Sequence, residues 1–174
     1  MSGPPKPQNV PTDVDEARAF AAALAERTDA TITRAGTTFT EEERNRRVNE
    51  EWSTVESLRH LVLVADRWLS KAIEGEADPF HPIALPPSFV GPTMPGTSID
   101  PDAKPTFDEA CEVLRSRIAT LQEYIGSLTP EELARPVANH AETVAGCLGV
   151  LFDEFLAHDS FINRDLDIIE KERA

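Results

Sequence analysis

Apolar residues recur at alternating steps of three and four along four stretches of the chain, the spacing of helices that each bury one stripe. The clearest stretch predicts a helix over about Phe107 to Ser127. Its stripe, Phe107, Cys111, Leu114, Ile118, Leu121, Ile125 and Leu128, keeps that rhythm without a break. A first helix is predicted over about Val14 to Ala35, with Ala17, Phe20, Ala21, Leu24 and Thr28 inward and Thr12 and Asp15 as cap and partner. A second, over about Thr54 to Glu74, carries Val55, Leu58, Leu61, Val62, Ala65 and Leu69. A fourth, over about Glu142 to Lys171, carries Val144, Leu148, Leu151, Phe155, Ile162, Leu166 and Ile169. Ser53 with Glu56, and Thr106 with Glu109, have the spacing of capping boxes. No stretch alternates with period two. The fold class is therefore all-α, a four-helix bundle.

The connections differ. Residues 76–105, between helices two and three, hold eight of the fourteen prolines. Proline disfavours helix interiors and restricts its predecessor, so this is one long crossover of the kind that bundles with two hairpins use. Such loops are often functional. A faint repeat links the halves: shifted by 89, Thr40, Glu42, Glu43, Arg46, Val48, Thr54 and Val55 fall on Thr129, Glu131, Glu132, Arg135, Val137, Thr143 and Val144. Each copy reads as a short capped helix, a turn and a long helix, with Pro130 at a first helical position. Residues 1–11 read as a disordered Pro-rich tail and residues 12–174 as a single domain.

Composition narrows the partners. The formal charge of −14 argues against a nucleic-acid surface. The basic run Arg44, Arg46 and Arg47 sits among glutamates and reads as a self-neutralising face. No apolar run reaches the roughly 20 residues of a membrane span, and the tail has no hydrophobic signal region; the expectation is a cytoplasmic protein. Cys111 and Cys147 fall on apolar faces and read as buried thiols rather than nucleophiles.

Chemistry concentrates on four histidines, His60, His81, His140 and His158. His158 lies on the core stripe of the fourth helix, with Glu154 one turn earlier. His60 has Glu56 one turn earlier, although Glu56 is already used by the capping box. Residues four apart on a helix can meet, so a histidine and a carboxylate could ligate a metal together or orient one another. The alternative is a pair of hydrogen-bonded interior histidines. His60 lies off the main stripe, in a run apolar on all sides. His140 reads as an exposed residue near a cap. Glu-x-x-His pairs, the H-E-x-x-H zinc motif, Gly-rich phosphate loops and a nucleophile elbow are all missing from the sequence.

Three segments in order resemble the DinB/YfiT-like superfamily: Glu51 to Leu61, centred on Leu58-Arg59-His60-Leu61; Phe80-His81-Pro82 in the crossover; and Asp153-Glu154 through His158 to Arg164-Asp165-Leu166. The resemblance implies an up-down-down-up bundle, often a homodimer, in which three histidines hold a divalent metal such as zinc or nickel. It implies relatives that are transferases or an isomerase (maleylpyruvate isomerase) using mycothiol, bacillithiol or glutathione on a small-molecule substrate. His60 matches the helix-two ligand and His158 the first histidine of an H-x3-H pair. Ile162 stands where the second should be and cannot bind metal. Glu154, or His81 folded over the bundle mouth, could complete the set. Two readings follow: a metal-dependent, thiol-using S-transferase or isomerase, or a metal-free bundle serving as a ligand-binding or interaction module. A weaker third is a purely structural homodimer joined through Trp52, Trp68 and Phe89.

Overall fold

Every long helix begins at a side chain that satisfies its first free amides. In the computed structural model, which describes residues 6–138 and 142–174, α1 (Val14–Thr38) starts at Asp13, whose carboxylate accepts from the Glu16 N–H. The cap is thus one residue beyond Thr12. Helix α3 (Thr54–Ala65) opens with the Ser53/Glu56 box and α4 (Phe107–Gly126) with the Thr106/Glu109 box. Helix α6 (Val144–Glu172) is capped by Thr143. The short helices α2 (Glu41–Asn45) and α5 (Pro130–Leu133) are capped by Thr40 and Thr129. Each such cap stabilises by about 1 kcal/mol.

The four long helices form a bundle. Helices α1 and α3 each pack against both α4 and α6, so α1 faces α3 across one diagonal and α4 faces α6 across the other. All seven stripe residues of α4 and its C-terminal turn, and all seven of α6, are buried. So are both cysteines, whose thiols burial pushes up to about 11. Ile162 is 2 % exposed within this core. Among the described residues no helix is long and apolar enough to cross a membrane.

The repeat read from the sequence has a structural counterpart. Thr40 and Thr129 cap short helices 89 residues apart, whereas the caps of the long helices that follow, Ser53 and Thr143, are 90 apart. The two halves therefore slip by one residue in the intervening turn. The arginine run of the first half finds its partners outside the glutamates that flank it in sequence. Arg46 pairs with Glu172 at 2.5 Å and Arg47 with Glu56 at 2.5 Å, while Arg44 donates to the last carbonyls of α1, including Phe39 O at 2.7 Å.

Two features differ from the sequence reading, and a third, the crossover, is ordered. The predicted second helix, about Thr54 to Glu74, changes type after α3: Asp66–Ile73 is a π-helical segment, in which the Glu74 N–H reaches back to the Leu69 carbonyl. Asp66 starts it, fully buried against Arg117 at 2.5 Å, and burial raises its pKa. Residues 6–11, expected to be the end of a disordered tail, lie along α6. Asp153 accepts the Gln8 N–H at 2.7 Å and the Asn9 N–H at 3.0 Å. Gly149 makes this possible, since a Cβ there would come within 2.8 Å of the Val10 side chain. The Pro-rich crossover is likewise pinned: the His81 N–H donates to Asp66 at 2.9 Å and the Asp100 N–H to Pro82 O at 2.9 Å.

Candidate metal centre

Two helices and a loop deliver the site. Helix α3 places His60, 5 % exposed although off the main stripe, because the crossover covers the second side of that helix. The imidazole Nδ1 lies 3.0 Å from the carbonyl oxygen of Leu85. A carbonyl only accepts, so Nδ1 carries the proton and Nε2 is the atom left for other chemistry. Helix α6 places Glu154 and His158 one turn apart on a face turned to α3. Glu154 Oε2 lies 3.4 Å from His158 Nε2 and 3.7 Å from His60 Nε2.

These three atoms all fall within 4.8 Å of one another. Three lone-pair-bearing atoms aimed at one point repel unless a cation lies among them, either a proton or a metal ion. Bond lengths of about 2.0–2.1 Å around a tetrahedral zinc would separate ligand atoms by roughly 3.3–3.4 Å. Both nitrogen–carboxylate distances are close to that; the imidazole–imidazole edge has to shorten. Two histidines and a glutamate are also a known catalytic zinc set, which leaves a fourth position open. The donor set therefore fits a divalent ion.

The electrostatics agree with an ionised carboxylate here. The neighbouring imidazoles, His158 first and then His60, hold Glu154 down to about 2, against a smaller opposing effect of burial. The imidazoles are held differently. Leu85 fixes one nitrogen of His60, whereas His158 Nδ1 is buried without a hydrogen-bond partner among the described residues. Packing takes over for His158: Trp52 stacks on it with centroids 5.9 Å apart, and Phe161 meets it edge-on at 5.6 Å. Trp52 also lies 4.7 Å from the His60 ring.

An unusual turn aims Trp52. Asn49 and Glu50 both adopt the left-handed region, at φ 54° and 63°, where a residue with a Cβ is held at a cost of about 1–2 kcal/mol. Glu51 then pairs with Arg164, and Trp52 turns in over the imidazoles. Outside lies a cleft of about 490 Å³ lined by Glu50, Glu51 and Trp52 together with Arg47, Ser57, Ser88, His158, Phe161 and Asp165.

The remaining candidates lie elsewhere. His81 is not brought to the pair: its Nδ1 accepts the Ile83 N–H at 3.2 Å, and it lines a separate groove with Lys104, Pro105 and Glu109. Glu56 is fully used by Ser53 and Arg47. His140 lies outside the described residues. Sequence reasoning missed Leu85, whose contribution is a backbone carbonyl with no signature in the side-chain pattern. It also gave Trp52 no role at the site, though that tryptophan stands one residue before the Ser53 cap.

A match to the family model described as DinB superfamily spans residues 25–162. The chain belongs to the DinB superfamily. That span covers most of the bundle and contains His60, Glu154 and His158. No curated protein and no solved structure matches the chain.

Proposed function

We propose that this DinB-superfamily protein is a metal-dependent enzyme in which His60, Glu154 and His158 hold a divalent ion, zinc or nickel. The reaction is transfer to, or isomerisation through, a low-molecular-weight thiol. One observation carries the reading: two imidazole Nε2 atoms and one carboxylate oxygen, from two helices, converge within 4.8 Å. Glu154 takes the ligand place that Ile162, buried in the core, cannot fill. When bound, the ion would supply Lewis acidity and keep a thiol in its thiolate form.

The chain's own residues do the rest. Leu85 O sets the His60 tautomer, Glu154 contributes a fixed negative charge, and Trp52 and Phe161 flank His158 with aromatic faces beside the cleft. The cleft wall favours a neutral thiol such as mycothiol over anionic ones such as bacillithiol or glutathione. Arg47 is bound to Glu56, and Arg164 is shared between Glu51 and Asp165, so neither offers a free cation, and Glu50 adds a further negative charge. A homodimer belongs to the same reading; Phe89, 89 % exposed on the crossover, is the side chain to mutate when measuring self-association by sedimentation.

The test is metal content of protein purified without chelator, for wild type and His158→Ala. Near-stoichiometric zinc or nickel in the first and its loss in the second is the expected result, followed by thiol-dependent turnover. A second reading has its own support in Glu154, whose two histidine partners already form a closed cluster around it. If no metal binds after incubation with divalent ions, and chelator leaves thermal stability unchanged, the protein is a metal-free binding module.

A further inference from the structure

We infer that Arg59 is a positioning residue for His60, acting through the crossover. The inference deepens the metal-site reading and rests on it for its functional meaning. Arg59 is half-buried, and its one side-chain hydrogen bond among the described residues runs from Nε–H to the Ile83 carbonyl at 2.8 Å. It forms no ion pair there. A guanidinium drawn from water usually finds a carboxylate; this one is used on a backbone oxygen, as a charge-assisted bond. The Arg59 carbonyl in turn accepts the Leu85 N–H at 3.2 Å. One residue further along α3, His60 donates from Nδ1 to the Leu85 carbonyl at 3.0 Å.

Two adjacent helical residues thus grip both ends of a three-residue piece of crossover. Pro82 precedes that piece and Pro86 and Pro87 follow it, so few backbone torsions around it are free. Fixing Ile83 O and Leu85 N–H therefore fixes Leu85 O as well. The consequence falls on His60. A neutral imidazole in water prefers its proton on Nε2, the nitrogen that faces Glu154 and would have to ligate. Leu85 O reverses that preference by holding the proton on Nδ1, as partners of ligating histidines do in metal sites. The long Pro-rich connection is in this sense the outer support of the centre, and Arg59 fastens the part of it that faces His60.

Arg59→Met keeps the buried stem and removes every donor; Arg59→Lys returns a cation. Two readouts separate the questions. One is the zinc dissociation constant, by competition with a chromophoric chelator. The other is the tautomer of His60 by nitrogen-15 NMR in metal-free protein. Arg59→Met is expected to weaken zinc binding about 10–100-fold and to move His60 toward the Nε2–H form, with much of both recovered by Arg59→Lys. The same zinc affinity and the same Nδ1–H tautomer in Arg59→Met would overturn the inference, as would an Nε2–H tautomer in the wild type. Should the wild type bind no zinc while its Nδ1–H tautomer depends on Arg59, the metal reading fails and the positioning role stands. If Arg59→Met does not fold, Arg59→Gln, which loses the charge, decides: a shift toward Nε2–H supports the role and an unchanged Nδ1–H tautomer overturns it.

Discussion

The two histidines of the centre are held by opposite means. His60 is fixed by the hydrogen bond it donates to another segment of the chain, 25 residues away. His158 has no hydrogen-bond partner for its Nδ1 among the described residues and is held by the rings of Trp52 and Phe161 and by its place on α6. The difference shows how one site can combine a ring of fixed tautomer with one whose second nitrogen is left uncommitted. It also separates the roles of the two halves of the bundle. The first half supplies one ligand and its covering crossover; the second supplies two ligands on one helical turn.

Stability should register this contrast most strongly. His60→Ala leaves the buried Leu85 carbonyl without its donor, a loss of about 1–3 kcal/mol, measured by denaturant unfolding of metal-free protein. His158→Ala deprives only Glu154, whose side chain is 42 % exposed to solvent, and should cost less. Equal losses would mean that the Leu85 bond contributes nothing. Trp52→Leu removes two ring contacts at once and should cost about 0.5–1.5 kcal/mol beyond the lost burial; no change would remove packing as the means by which His158 is held.

The carboxylate between the rings gives a smaller, pH-dependent effect. Because Glu154 is held near 2 in the folded state, below its ordinary value, its stabilisation is complete above the usual carboxylate range and fades as pH falls toward 2. Solvent reaches 42 % of the side chain, which screens the effect. The stability gap between wild type and Glu154→Gln should therefore narrow from pH 6 to pH 3; a constant gap would contradict the assigned partners. The smallest effect expected is at the thiols. Cys111 and Cys147, buried and shifted to about 11, should resist alkylation in native protein at pH 8 and react on unfolding. Rapid native labelling of either would place it outside the core.

Most of the fold was legible because it is written in side chains. The stripe of α4 and the Ser53 and Thr106 boxes declare their helices directly, and His158 announces its inward position by its phase with Phe155 and Ile162. His60 was harder, since its burial depends on a second surface that the periodicity of α3 does not contain. What covers it is a loop whose key atom is a carbonyl. The π-helical segment left only an indirect trace, an aspartate at the end of an apolar run, because the partners of Asp66, Arg117 and the His81 N–H, come from distant parts of the chain. Residues 6–11 read as free chain because Pro and Asn suit a tail; their partner, Asp153, and the space above Gly149 exist only once α6 is in place.

The central claim is the identity of the three ligands, and metal-edge X-ray absorption on zinc-loaded protein tests it most directly. A shell with two imidazoles and one carboxylate oxygen from the protein is expected, reduced to the two imidazoles in Glu154→Ala. Three imidazoles, or a shell unaltered by Glu154→Ala, would contradict it.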